Sequence, residues 1–214
     1  MNAVDLSVYL VTDRGLSGVR GVRDVVLAAA RGGATMVQLR DPEAKTRTLV
    51  VEARALAGLL RPHRIPLIVN DRVDVALAAD ADGVHVGQSD MDVRDARALI
   101  GPDRILGLSI TEETDLDRSD LTLVDYLGVG PVFATPTKVD AAPPMGMAGL
   151  KRIAARTGLP IVAIGGLHAG NAADAIAAGA AGVSVVSAIC AAPDPELATR
   201  ELAEIVRAAR AGRA

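Results

Sequence analysis

Two short runs, "NDR" at Asn70–Arg72 and "GQSD" at Gly87–Asp90, each place an aspartate just beyond a β-branched stretch, "IPLIVN" and "GVHVG". Carboxylates that follow adjacent strands can reach one point. A pair of oxygens there suits Mg²⁺, which takes one or two carboxylates and completes its shell with water and substrate phosphate. Asp71 and Asp90 are therefore the candidate metal ligands. Either one could instead cap the helix after it, "RVDVALAA" or "MDVRDARAL". A second chemistry comes from glycine. The run "AIGG", ending at Gly166, precedes a helix opening at Asn171 and frees backbone N–H groups, a natural seat for phosphate. The Val186–Ser187 turn offers further donors. Lys138, in "ATPTK", and Arg40, in "QLRDP", supply cations for phosphate oxygens. His85, between Val84 and Val86, reads as a packed core histidine, and Cys190 as a small core residue. His63 and His168 fall in loops with nothing to distinguish them.

The elements that must position these residues are legible from periodicity. Short apolar runs recur: "SVYLVT", "MVQLR", "IPLIVN", "GVHVG", "ILGLSI", "VDYLGVG", "LPIVAIGG" and "GVSVVSA". Alanine-rich, helix-period segments such as "DVVLAAARGG" and "TLVVEARALAGLL" lie between them. Strands alternating with helices imply parallel pairing through crossovers, and near-continuous apolar strands imply burial on both faces. About eight such units in 214 residues predict an α/β fold, a single (β/α)₈ TIM-barrel domain over residues 1–214. A doubly wound sheet is the alternative.

In such barrels the chemistry sits at the C-terminal ends of the strands. There the second strand leads into Gln38–Pro42, the third into Asn70–Arg72 and the fourth into Gly87–Asp90. The fifth ends on Ser109, the sixth runs into Ala134–Lys138, and the last two end at Gly165–Gly166 and Val186–Ser187. The opposite rim, with "RGGAT", "LRPHRIP" and "RTGLP", offers much less. One rim thus gathers two anion-binding regions, which suggests a transferase joining two phosphorylated small molecules.

Composition narrows the alternatives. Half the residues are hydrophobic and 23% are charged, enough for a large core and against disorder. Tyr9, Tyr126 and Phe133 are the only aromatics and the net charge is −3, so a nucleic-acid partner is not expected. The single cysteine excludes an internal disulfide and a multi-cysteine zinc site. No basic leader precedes a long apolar run, and no stretch has membrane-spanning character, so the expected location is cytoplasmic. The sequence leaves room for a homo-oligomer.

The segments "YLVTDR", "VQLRD", "LIVNDRVDVALAADADGVHVGQSDM", "LGLSI", "YLGVGPVFATPTKVDAAPPMG" and "PIVAIGGLHAGNAADAIAAGAAGVSVVSAI" resemble, in order and spacing, the thiamine-phosphate synthase family from Tyr9 to Ile189. The resemblance implies coupling of a hydroxymethylpyrimidine diphosphate to a thiazole phosphate with release of pyrophosphate. It implies that Gln38, Leu39, Arg40, Asp41, Pro42, Asn70, Ser109 and Lys138 hold the pyrimidine diphosphate, and that Asp71 and Asp90 hold Mg²⁺ on its pyrophosphate. It assigns Thr135, Pro136, Thr137, Gly166, Val186 and Ser187 to the thiazole phosphate, and a part in the chemistry to Lys138, Arg40 and Ser109. The prolines Pro136, Pro143 and Pro144 would stiffen the loop that carries Lys138, lowering the entropy lost on binding.

Two departures stand out. The family's second-strand motif commonly places a lysine where this chain has Pro42, which puts one pyrophosphate contact in doubt; Lys45 is the nearest substitute. The fifth-strand loop "SITEET" lacks the histidine or second serine often found there. Two other functions compete, a thiazole tautomerase, which needs no pyrophosphate metal site, and a non-catalytic regulator that binds phosphate ligands.

Overall fold

Short β-branched runs with both faces covered form the strands β1 (Val8–Val11), β2 (Met36–Leu39), β3 (Leu67–Asn70), β4 (Gly83–Val86), β5 (Ile105–Ile110), β6 (Tyr126–Val129), β7 (Ile161–Ile164) and β8 (Gly182–Val185). In the computed structural model, which describes residues 4–135 and 142–212, they pair in parallel and in sequence order. β8 returns to β1, closing an eight-stranded (β/α)₈ TIM barrel.

The crossovers carry α1 (Arg14–Ser17), α2 (Gly21–Gly32), α3 (Thr46–Leu60), α4 (Val73–Ala79), α5 (Val93–Ile100), α6 (Asp115–Arg118), α7 (Gly146–Ala155) and α8 (Ala172–Ala177). After β8 come α9 (Ser187–Cys190) and α10 (Pro195–Ala211). Each long helix turns an apolar stripe to the barrel, as Leu49, Ala53, Leu56 and Leu60 do from α3. α10 starts cleanly because Asp194 accepts from Leu197 N at 3.0 Å and Pro195 occupies its first turn. No helix among the described residues is long and apolar enough to cross a membrane.

Side chains alternate across the barrel wall, so the register fixes what faces inward. Tyr9 lies beside Met36 on one side and Ser184 on the other, while Asn70, His85, Gly107 and Tyr126 follow one another across β3 to β6. Tyr9, Met36, Ile68, Tyr126 and Val162 fill the interior with Leu6 beneath them. The outward residues, such as Val37, Leu39, Val69 and Val84, join the larger core under the helices. Two inward glycines make room for bulk. A Cβ on Gly107 would overlap the Tyr126 ring and His85 Nδ1, and one on Gly128 would lie 2.9 Å from His85 Cε1.

The N-terminal rim is richer than the sequence suggested. Arg97, on α5, bonds Asp125 Oδ2 at 2.7 Å and the carbonyls of Leu123, Gly101 and Arg104, while Asp125 Oδ2 also accepts from Leu106 N at 2.8 Å. Asp82 accepts from Leu67 N at 2.8 Å. These charges close the lower edge of the sheet. Gly107→Ala should overpack the barrel and cost about 1–3 kcal/mol, read as a lowered midpoint in thermal unfolding. An unchanged midpoint would mean that the Tyr126 and His85 rings can move aside freely.

Candidate active site

The C-terminal rim begins with β2. Gln38 faces inward, 5% exposed, and Nε2 donates to the Tyr9 hydroxyl at 2.7 Å. Leu39 is buried in the outer layer, so only its backbone is turned to the mouth. Arg40 is half-buried; its N–H donates to Thr12 Oγ1 at 3.0 Å, and among the described residues its guanidinium has no carboxylate partner. Asp41 faces Arg14 at 3.9 Å. Pro42 and Lys45 are exposed, and Lys45 stands immediately before α3.

Asp71 follows β3 in a left-handed conformation, φ 59°, which a residue with a Cβ seldom adopts outside functional or tightly constrained sites. Its N–H donates to His85 O at 2.8 Å, and its Oδ2 accepts from Asn70 Nδ2 at 2.5 Å. It does not cap α4, whose preceding residue is Arg72 and which has no side-chain cap. Asp90 does not cap α5 either. That role belongs to Asp92, which accepts from Arg94 N, while Asp90 Oδ2 accepts from Gly87 N at 2.8 Å. The capping alternative therefore fails for both aspartates, leaving two exposed carboxylates over neighbouring strand ends, both close to His85.

The donor set is oxygen-only and suits a hard cation such as Mg²⁺. Among the described residues no group of three or more His, Cys, Asp or Glu could enclose a metal by itself. An ion held here would complete its shell from water and ligand. Arg72, beside the pair, is spent elsewhere: its guanidinium grips Asp74, holding that carboxyl below its usual range, and bonds Thr46 Oγ1 at 2.8 Å.

Beneath the rim runs a polar core that sequence reasoning missed. The Tyr9 and Tyr126 hydroxyls are 2.8 Å apart, Tyr126 meets His85 Nδ1 at 2.9 Å, and His85 Nε2 meets Ser109 Oγ at 2.9 Å. His85 was expected to be a packed core residue. It is buried, but both ring nitrogens are engaged, and burial pushes its pKa down to about 4 against the opposing pull of Asp90, so the imidazole is neutral at pH 7. Burial likewise pushes both tyrosines up. The available signal was parity: His85, Tyr126 and Tyr9 occupy inward positions of their strands, in step with Gly87, Gly128 and Val11.

On the far side, β6 leads through a cis Gly130–Pro131 bond into the loop that bears Thr135. Met145 N and Gly146 N donate to Pro131 O and Val132 O, both at 2.9 Å, which ties the loop's two ends together. Thr135 is half-buried; Pro136, Thr137 and Lys138 lie outside the described residues. Gly165 and Gly166 have φ 98° and 63°, and a Cβ on Gly166 would sit 2.7 Å from Phe133 Cβ and 3.0 Å from Ala134 O. Only glycine satisfies both the backbone and the space. Asn171 fixes the turn, donating to Gly166 O at 3.0 Å and accepting from His168 N at 2.9 Å. Val186 and Ser187 open α9, where Ile189 N and Cys190 N donate to Val186 O, so the amides left at its start are those of Ser187 and Ala188. The rim thus joins cation- and carboxylate-bearing strand ends at β2–β4 to glycine and amide turns at β7–β8.

The family model described as thiamine monophosphate synthase matches residues 8–189. The thiamine-phosphate synthase of Xanthobacter autotrophicus is 60% identical over 206 residues, covering 96% of this chain and 98% of its own. That of Azorhizobium caulinodans is 54% identical, covering 96% and 97%. A solved thiamine phosphate pyrophosphorylase from Pyrococcus furiosus superposes with a TM-score of 0.87 at 37% identity, covering 97% of this chain and 98% of that one. A 3-hexulose-6-phosphate synthase shares the fold alone, at 19% identity and a TM-score of 0.69. With a matching family model over most of its length and relatives above half identity, this chain belongs to the thiamine monophosphate synthase family.

Proposed function

We propose that this chain couples 4-amino-2-methyl-5-(diphosphooxymethyl)pyrimidine to 4-methyl-5-(2-phosphooxyethyl)thiazole, giving thiamine phosphate and pyrophosphate. The observation that carries the reading is the two-sided rim. Asp71, Asp90 and Arg40 suit a diphosphate on one side, and the Gly166 turn and the α9 amides suit a monophosphate on the other. A tautomerase would have no use for the first side, and a regulator would bind without turnover.

Asp71 and Asp90 would hold Mg²⁺, which when bound offsets the negative charge of the diphosphate. Gln38, Asn70 and Ser109 would seat the pyrimidine, with Asp41 and the Leu39 and Pro42 backbone walling its diphosphate. Arg40 and Lys138 would stabilise the charge gathering on departing pyrophosphate. The electron-rich aminopyrimidine spreads the positive charge left on its methylene, so no strong general acid is needed from the protein. Thr135, Pro136, Thr137, Gly166, Val186 and Ser187 would hold the thiazole phosphate with the ring nitrogen near that carbon, where proximity supplies much of the rate. With Pro42 in place of lysine, Arg40 carries more of the pyrophosphate contact, and exposed Lys45 could add to it from the start of α3.

Incubation with both substrates and Mg²⁺, assayed for thiamine phosphate, tests the reading directly; binding of both without product would overturn it. Asp71→Gly should abolish most turnover yet melt at or above the wild-type midpoint, because glycine accepts φ 59° without strain. Retained turnover, or equal activity in excess chelator, would remove Asp71 from the metal. Gly166→Val should weaken thiazole phosphate far more than pyrimidine diphosphate in separate titrations, and the reverse order would exchange the two halves of the site. Lys138→Ala should lower kcat by roughly 10²-fold, with partial recovery in Lys138→Arg. A rise in KM alone would make Lys138 a ground-state anchor.

A further inference from the structure

β5 has six residues where the other seven strands have four, and its pairing with β4 stops at Val86 and Leu108. Ser109 and Ile110 therefore overrun β4. Every other carbonyl of a strand points to the same neighbour. Leu106 O and Ile110 O accept from Asp125 N and Gly130 N on the β6 side, so Ser109 O faces β4. That strand has ended by then, and the Gln88 side chain stands in for the missing strand amide, Nε2 donating to Ser109 O at 2.8 Å. An acceptor carbonyl leaves the Gln88 amide one orientation, with its NH₂ towards Ser109. The serine hydroxyl meets His85 Nε2 at 2.9 Å, so β4 and the loop after it hold Ser109 at two atoms. The other end of Gln88 is fixed as well. Gly87 N donates to Asp90 Oδ2 at 2.8 Å and Asp90 N to Gly87 O at 3.2 Å, closing the turn in which Gln88 sits. A Cβ on Gly87 would lie 2.9 Å from that carboxylate oxygen, so glycine lets the turn close this tightly.

We propose, resting on the reading of Ser109 as part of the pyrimidine seat, that Gln88 is a positioning residue. By holding the Ser109 carbonyl it fixes the hydroxyl for the pyrimidine and locks that seat to the turn carrying Asp90. A hydroxyl on a frayed strand end swings between staggered rotamers, so Ser109 Oγ serves a ligand best from a fixed backbone. On the β6 side the overhang is already paired, Ser109 with Gly128 and Ile110 with Val129. Gln88 supplies the matching hold on the β4 side. Gln88 is exposed and Ser109 half-buried, so the bond adds little to the core, and its loss is read in the ligand rather than in the fold. Asp90 and Ser109 thereby keep one spacing, the first facing the diphosphate's metal and the second the ring, and that spacing is set before either binds.

The test is calorimetric titration of the pyrimidine diphosphate and, separately, of the thiazole phosphate, both with Mg²⁺ present, into wild type, Gln88→Met, Ser109→Ala and the double variant. Methionine keeps the length of glutamine and removes the donor. Gln88→Met should weaken the pyrimidine diphosphate about fivefold, the scale of one hydrogen bond, and leave the thiazole phosphate unchanged. In the Ser109→Ala background the same substitution should have almost no further effect, because no hydroxyl remains to be misplaced. An unmoved dissociation constant in the single variant, an equal loss in both backgrounds, or equal weakening of both ligands would overturn the proposal. So would a lowered thermal midpoint with both constants unchanged, the mark of a latch with a structural part only. Gln88→Leu repeats the comparison should the methionine variant fail to fold. Failure of wild type to bind the pyrimidine diphosphate would remove the assigned function and this role together, whereas binding by wild type with no loss in Gln88→Met removes the role alone.

Discussion

A closed barrel of short parallel strands gives each residue one of two destinations, the interior or the layer beneath the helices, and closure allows no slippage between them. β1 to β4 and β6 to β8 have four residues each, so most strands spend two side chains on each face. The outer pair is almost uniformly apolar because α2, α3 and α10 must bury a stripe against it. The inner pair grades along the axis, from Met36, Ile68 and Val162 below to Gln38, Asn70, His85 and Ser109 above. A one-residue shift in β2, β3 or β4 would put Gln38, Asn70 or His85 under the helices and apolar side chains in the mouth.

That grading sets the electrostatic character of the two ends. At the N-terminal rim the charges are already neutralised by the fold, as where Arg97 meets Asp125 with both side chains at or below 14% exposure. Breaking such a pair strands a charge, so it acts as a fixed clasp. At the C-terminal rim the carboxylates of Asp71 and Asp90 are exposed, Asp71 Oδ2 accepting from Asn70 Nδ2 and Asp90 Oδ2 from Gly87 N. Positive φ occurs at both ends, at Asp71, Gly165 and Gly166 on this rim and at Arg64 and Asp80 in the loops of the opposite one.

Much of this was legible before any coordinates. Apolar runs separated by helix-period segments gave the strand count, and strand order followed because successive βαβ units place neighbours side by side. Once the strand ends were known, the rim residues followed, since a C-terminal strand end is a sequence position as well as a place. That is why Gln38, Arg40, Asp71, Asp90, Gly166 and Ser187 could be named from spacing and from family resemblance together.

The contents of the barrel were not legible in the same way. His85 between two valines reads as core, and Tyr9 and Tyr126 are 117 residues apart in sequence. Only closure brings β1, β4, β5 and β6 around one axis and turns isolated polar residues into a connected line. Capping was undecidable from sequence for a similar reason. Asp71 and Asp90 each precede a helix, and only the observed dihedrals and bonds give the capping of α5 to Asp92 and free both residues from that task. Sequence determined the order of elements and the chemistry at their ends, because both depend on local spacing. Tertiary structure alone decided which buried groups share protons, because hydrogen bonds depend on distance and the chain sets that distance only by closing on itself.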